Sequence, residues 1–286
     1  MINLYKGEIV LMEIGFYKDQ FVDINENVVP IQERGHQFGD GVYEVIRVYN
    51  GKPFLLNEHL DRLVKSAEAI YLELPYPPER IYEIISEGLE KSGLTEAEIY
   101  MQITRGIAPR AHLFPTTPSV MSMTIKNARV VDKKKRIDGV TVTLMEDERW
   151  KNCYIKSLNL LPNVIAKQKA ATNGHEEAIF IRDGFITEGS SSNIFIVKNG
   201  TLITTPATNF ILHGITRAAV IKLASKCNIP FEERKFDREF LNEADEAFIT
   251  STSAEILPIS KIDDISLSPN RPITNLLYNE YCGLYK

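Results

Sequence analysis

The chain has 286 residues, of which 44% are hydrophobic and 25% charged, with a formal net charge of −5. That is the composition of an ordinary globular protein of about two domains, and its acidic balance argues against general affinity for nucleic acid or an anionic membrane surface. Three widely separated cysteines, Cys153, Cys227 and Cys282, match neither a metal-ligand spacing nor a disulfide framework, and no apolar run reaches membrane-spanning length. Lys6 and Glu8 interrupt any apolar leader, so a cytoplasmic location is expected.

Residues 1–11 read as an N-terminal extension, flexible or arising from an early start codon, since Met12 opens the first patterned segment equally well. The pattern then predicts a hairpin over 14–17 and 21–24, a strand over 42–49, an Asn50-Gly51 turn and a strand over 53–56. Asn57 is placed to cap a helix with an apolar stripe of Leu60, Leu63, Ala67 and Ile70. Pro77 and Pro78 introduce a second helix with Ile81, Ile84, Ile85 and Leu89, ended by Gly93. Strands follow at 99–104 and 120–125. The polar stretch 126–138, with four consecutive basic residues from Lys133 to Arg136, reads as a solvated linker. The domain junction is set there, giving a smaller N-terminal α/β domain over 12–130 and a larger C-terminal domain over 131–286.

Alternation resumes with a strand at 140–145, a segment containing Lys156, a helix over 164–172 and strands at 178–181 and 193–197. An Asn199-Gly200 hairpin turn, a helix over 216–226, a strand at 247–250 and a closing helix over 273–285 complete the chain. Hairpins mixed with crossing helices indicate two α/β (α+β) units and not one doubly wound sheet.

Lys156 lies in the apolar stretch Tyr154-Ile155-Lys156-Ser157-Leu158-Asn159-Leu160-Leu161. Two readings are open: a stem lying along apolar surface with its ammonium in water, or an amine whose pKa is depressed by desolvation so that it can form a Schiff base. Pyridoxal phosphate needs such a lysine, an anion beside its ring nitrogen and a phosphate cradle. Glu188, in the hydroxyl-rich Thr187-Glu188-Gly189-Ser190-Ser191-Ser192-Asn193, is a candidate for the anion or an exposed turn acid. Gly214-Ile215-Thr216-Arg217 is an ordinary N-cap or a helix start that receives phosphate, and Thr250-Ser251-Thr252-Ser253 supplies further hydroxyls. Arg62 would add a fixed charge or sit on a solvated face. Arg110 and His112 leave the strand at 99–104 on one loop, where a guanidinium can grip a carboxylate with two hydrogen bonds; Tyr43 would add a phenol. The nucleophile-elbow, dinucleotide-loop and paired-histidine metal patterns are incomplete, so no metal is expected.

Together, Glu188 to Phe195, Leu202-Ile203-Thr204 and Leu212-His213-Gly214-Ile215-Thr216-Arg217 resemble the signature of the class IV aminotransferases, the fold-type-IV pyridoxal phosphate enzymes. The likeness extends to Arg34 through Glu44, Asn57 through Leu63 and Ile155 through Leu161, and spans essentially everything from Met12 onward. It implies a two-domain fold with a mixed-sheet C-terminal domain, Lys156 bonded to pyridoxal 5'-phosphate, and Glu188 facing the pyridine nitrogen. Arg62, Ile215, Thr216, Ser251 and Thr252 would hold the phosphate, and Leu212 would pack on the ring. Tyr43, Arg110 and His112 match the trap for the substrate carboxylate in members that act on D-amino acids, which implies small D-amino acids and 2-oxo acids as substrates. Family members are homodimers in which the arginine-histidine loop serves the neighbouring subunit. The resemblance leaves open a branched-chain or (R)-amine aminotransferase on the same fold, and a non-catalytic pyridoxal phosphate binder.

Overall fold

The computed structural model describes Met12 to Lys286, preceded by the backbone of Leu4–Tyr5 and Glu8–Ile9, which pair antiparallel. The expected flexibility of residues 1–11 lies outside the described residues. The chain divides into two compact units, one holding residues up to Arg129 together with Ile155–Asn159, the other Val130–Tyr154 and Leu160–Lys286.

In the first unit an antiparallel six-stranded sheet runs in the order Gln20–Asp23, Ile14–Tyr17, Val120–Asn127, Ala97–Thr104, Gly41–Tyr49 and Lys52–Pro53. Alternation sends Val42, Ile46 and Val48 to one face, where they meet Ile99, Met101, Ile103 and the stripes of helices Leu56–Ala69 and Pro78–Ser92. Both helices bury residues their 3.6-residue period selects, Leu60, Leu63 and Ala67 on the first and Ile81, Ile84, Ile85 and Leu89 on the second, while Ile70, expected in the first stripe, is the C-cap and only partly buried. The first opens at Leu56 with Leu55 in the left-handed region and no side-chain cap, so Asn57 is not the cap and the strand expected over 53–56 shortens to Lys52–Pro53.

Although the sequence places Lys156 after the junction, its segment packs with this first unit. Val42 and Ser157 form an antiparallel bridge, and the Leu158 amide donates to Gly41 O at 3.0 Å. Ile155 is part of the same apolar core. Backbone pairing and one buried side chain thus override chain order.

In the second unit a nine-stranded mixed sheet runs Phe185–Gly189, Glu177–Arg182, Val140–Glu146, Glu255–Ile262, Glu246–Ser251, Asn193–Lys198, Thr201–Thr204 and Phe231–Glu233, with Ile265–Ser266 paired to Glu255–Ile262. Val140–Glu146 is parallel to both of its neighbours, whereas Asn193–Lys198 is antiparallel to both of its own. Helix Leu161–Thr172 packs on the parallel end, and helices Ile215–Lys226 and Pro272–Cys282 pack on each other and on the central strands. Phe185–Gly189 and Glu255–Ile262 are strands that the alternation did not reveal: their residues are buried on both faces, leaving almost no polar phase to read. The basic run is a capped helix, Lys133–Asp138, with Asp132 accepting from the Lys134 amide at 2.9 Å. Its Arg136 donates to the carbonyls of Ala254 and Ile256 and pairs with Glu255, so this stretch is fastened to the sheet and is not a free linker.

Ile99 is fully buried in the first unit, so Ile99→Ala should lower unfolding stability by about 2–5 kcal/mol. Ile137, 76% exposed, is the control, and Ile137→Ala should stay within about 0.5 kcal/mol; denaturant midpoints at constant slope check both.

Candidate active site

The first unit gathers Lys156, Tyr43, Arg62, Arg110 and His112. Lys156 is half-buried between buried Ile155 and Ser157. Its carbonyl accepts from the Tyr43 amide at 2.9 Å, its amide donates to Ser66 Oγ at 3.2 Å, and its Nζ lies 4.3 Å from the Tyr43 ring centroid. The lysine is therefore fixed at its backbone by a strand and a helix, with a phenol ring beneath its amine.

Arg62 is not on a solvated face. It makes a two-pronged pair with Glu44, Nε to Oε1 and Nη2 to Oε2, both at 2.7 Å. Glu44 occupies an inward position of strand Gly41–Tyr49, between Val42 and Ile46, and is completely buried. Burial alone would push its carboxyl up, but the charge and hydrogen bonds of Arg62, with help from His59, outweigh this and hold it down at about 2. An ionised Glu44 only accepts, so His59 Nδ1, 2.7 Å away, carries the proton it donates. Burial also holds His59 below its usual value, against the pull of Glu44 and with the charges of Arg62 and Lys156 adding to the lowering. Glu44 and His59 are site residues that function-minded reading passes over; the available signal is an acid at a core-facing position of an alternating strand, which requires a buried cation.

Arg110 and His112 are exposed on the loop after Ala97–Thr104. Arg110 lies 4.1 Å from the Phe38 ring centroid and donates to Gln37 O at 3.4 Å, while the His112 ring is tilted against Phe38 at 5.7 Å.

The second unit holds Glu188, Leu212, Ile215, Thr216, Ser251 and Thr252. Glu188 stands in the buried strand Phe185–Gly189 and not in a turn. Oε1 accepts from Arg149 Nη1 at 2.6 Å, Oε2 accepts from Asn193 Nδ2 at 2.9 Å, and the Leu212 amide reaches both oxygens at 3.0 and 3.1 Å. Burial pushes the Glu188 carboxyl up to about 7, with Arg149 and the Leu212 amide pulling against it and Asp147 adding to the rise. Arg149 is itself clamped by Asp147 through Nε and Nη2 at 2.8 and 2.9 Å, and Arg182 adds a second cation at 3.1 Å from Asp147. The hydroxyls of Ser190, Ser191 and Ser192 all donate to buried Glu177, so they shape the turn and face away from the role of anion cradle.

Leu212 is half-buried, and three residues beyond it the helix Ile215–Lys226 begins. Its N-cap, Gly214, offers no side-chain bond to the first-turn amides. A Cβ at Gly214 would lie 2.0 Å from Asn193 Oδ1, so only glycine fits between this helix start and the amide that steadies Glu188. Thr216 is buried; Ser251 and Thr252 are half-exposed at the end of Glu246–Ser251, and Ser251 Oγ accepts from the Ala254 amide at 3.0 Å. Thr250 Oγ1 beside them is buried with no hydrogen-bond partner.

This donor set fits pyridoxal phosphate. A buried carboxylate suits a protonated ring nitrogen, whose charge would favour its ionised form, and a side-chain-uncapped helix start suits a phosphate. Leu212, whose amide lies 3.0 Å from the Glu188 carboxylate, is three residues from the helix start at Ile215, a span of at most about 11 Å along the chain.

The family model for amino-transferase class IV matches residues 41–262, and the chain belongs to that family. It is similar to the D-alanine aminotransferase of Staphylococcus haemolyticus, 41% identical over 93% of this chain and 96% of the relative. The D-alanine aminotransferase of Staphylococcus epidermidis is 45% identical over 87% of this chain and 88% of the relative. Among solved structures, a branched-chain amino acid aminotransferase of T.th. with pyridoxamine 5'-phosphate superposes with a TM-score of 0.87 at 25% identity, covering 95% of this chain and 94% of that one.

Glu44 generates a pH prediction. Its folded-state pKa, about 2, lies below the ordinary 4.5, so the folded protein binds fewer protons between those values. The stability it contributes is present above about pH 4.5 and is lost as pH falls towards 2, on the order of 3 kcal/mol in total. The stability gap between the parent and Glu44→Gln, followed by urea unfolding, should be flat from pH 7 to 5 and shrink below 4.5.

Proposed function

We propose that this chain is a pyridoxal-phosphate-dependent transaminase that moves the amino group of D-alanine to 2-oxoglutarate, yielding pyruvate and D-glutamate. The observation that carries the cofactor is Glu188, a buried carboxylate near neutrality steadied by Arg149, Asn193 and the Leu212 amide. The substrate rests on D-alanine aminotransferases 41% and 45% identical over most of the chain, against 25% for a branched-chain enzyme of the same fold. The protein is read as a cytoplasmic homodimer, and among the described residues no helix is long and apolar enough to cross a membrane.

Bound pyridoxal phosphate supplies an aldehyde that condenses with amines and a protonated ring that accepts the electron pair released at the donor's α-carbon. Lys156 would hold the cofactor through its aldehyde, and its free amine would take the proton from the donor Cα, with the Tyr43 ring 4.3 Å from Nζ limiting its swing. Glu188 holds the proton at the ring nitrogen, so the ring keeps its capacity as electron sink. Arg62, the amides and hydroxyl at Ile215 and Thr216, and Ser251 and Thr252 hold the phosphate; the pair with Glu44 fixes the plane of the Arg62 guanidinium before any ligand arrives. Leu212, half-buried, would pack on the ring and shield it from water. Arg110 and His112, with Tyr43, grip the substrate carboxylate, and the side on which they hold it determines which hand of amino acid presents its α-hydrogen to Lys156.

Borohydride treatment of the protein with pyridoxal phosphate, followed by peptide mass mapping, should label Lys156. Lys156→Ala should lose that label and at least about 10³-fold of its D-alanine turnover. A donor panel of D-alanine, L-leucine and a chiral amine with 2-oxoglutarate tests the substrate: preference for L-leucine or for the amine contradicts the reading, and turnover of none with Lys156 labelled makes the protein a binder only.

A further inference from the structure

Arg110 and His112 are exposed on a loop without regular structure, yet neither is left to itself. The residue between them, Ala111, accepts a hydrogen bond through its carbonyl from Arg34 Nη1 at 2.7 Å. Arg34 is buried, and its Nε donates to Asp40 Oδ2 at 2.8 Å. The same Asp40 accepts from Arg105 Nε at 3.0 and 3.1 Å, and Arg105, also buried, donates its remaining nitrogens to the carbonyls of Ile70 and Tyr71 at 2.7 and 2.8 Å. One carboxylate thus joins the short helix Arg34–Phe38 to the root of the loop.

The backbone repeats this tie. The Arg34 amide donates to Gly106 O at 2.9 Å, and the Ala108 amide donates to Gln32 O at 3.2 Å. Gly106 has φ +92°, and a Cβ there would meet Pro118 O at 2.1 Å, so the loop leaves the strand in a conformation only glycine allows. Phe38, the last residue of the short helix, is the platform. Its ring receives the Arg34 guanidinium at 4.8 Å, the Arg110 guanidinium at 4.1 Å and the His112 ring at 5.7 Å.

We propose that Phe38, together with Arg34 and Arg105 bridged by Asp40, presets the pose of Arg110 and His112 and so tunes recognition of the substrate carboxylate; this rests on the carboxylate role given to that pair above. These four are positioning residues. A guanidinium and an imidazole on a loop would otherwise lose side-chain freedom at each binding event, and stacking on a fixed ring removes that cost beforehand. The device is expected to act on carboxylate binding, because its hydrogen bonds and ring contacts run to the loop of Arg110 and His112 and to backbone carbonyls.

Three probes separate this from a purely structural role: D-alanine, its decarboxylated counterpart ethylamine, and its amine-free counterpart propionate. In Phe38→Leu the KM for D-alanine and the inhibition constant for propionate should each rise about tenfold, the loss of one cation–ring contact. The kcat, the pyridoxal phosphate content and the single-turnover rate with ethylamine should stay within about twofold. Phe38→Tyr, which keeps the ring, should restore the parent KM. Asp40→Asn should act in the same direction, and if it fails to fold, Phe38→Leu decides alone. An unchanged D-alanine KM in folded, cofactor-loaded Phe38→Leu overturns the inference, as does an equal loss with D-alanine and ethylamine. Arg110→Leu separates the two levels: if it leaves the D-alanine KM unchanged, the carboxylate role itself fails, whereas a raised KM there with a normal Phe38→Leu sinks only the positioning device.

Discussion

A carboxylate taken out of water must be met by donors or give up its charge, and each unit arranges its chemical residues around groups under that constraint. Glu44 in the first unit and Glu188 in the second are buried on strands, each bonded to one arginine. Neither pair is a cheap source of stability, because desolvating two ions offsets most of their attraction. What such a pair provides is geometry. The fork of Arg62 fits both oxygens of Glu44 at 2.7 Å and can do so in one plane only, which settles where the guanidinium points.

The same requirement recurs with the signs reversed at Asp40, where one partly buried acid serves two buried arginines. In the first unit, then, the site residue Arg62 and the positioning residues Arg34 and Arg105 are all held by acids from strand Gly41–Tyr49 or the residue just before it. The run Gly39-Asp40-Gly41-Val42-Tyr43-Glu44 therefore does more than form a strand. Asp40 anchors the loop that bears Arg110, Tyr43 lies beneath Lys156, and Glu44 orients Arg62, while Val42, facing the core, fixes the register of all three.

Most of the elements were legible because their periods are clean: the stripes of Leu60, Leu63 and Ala67 and of Ile81, Ile84 and Ile85 are the buried faces observed. Phe185–Gly189 and Glu255–Ile262 escaped because they are buried on both sides, and Phe231–Glu233 and Ile265–Ser266 because they are too short to show a period; the first of these carries Glu188 out of the turn in which its neighbouring serines set it. The individual site residues were visible as residue types; their holders were not. Arg149 lies in the charged run Glu146-Asp147-Glu148-Arg149, which carries no motif, and only the sheet order places it near Glu188. Strand Glu177–Arg182 sits between Val140–Glu146 and Phe185–Gly189, and the Asp147 amide continues that pairing by donating to Ile181 O at 2.8 Å. A contact across three strands leaves no local period to find.

Comparing the two acids shows how one residue type takes two roles. Glu44 has the fork of Arg62 and the Nδ1–H of His59, which together outweigh its burial and hold it at about 2. Glu188 receives a single prong from Arg149, whose other two prongs belong to Asp147, and the Asp147 charge opposes its ionisation. Burial pushes Glu188 up to about 7, with Arg149 and the Leu212 amide offsetting only part of that rise and Asp147 adding to it. A carboxyl held as low as Glu44 would keep its charge whatever approached and could serve as a fixed strut. Glu44 is thus a fixed strut for Arg62, whereas Glu188, raised by burial and sharing its cation with Asp147, would be drawn to its charged form by a further cation such as a protonated ring nitrogen.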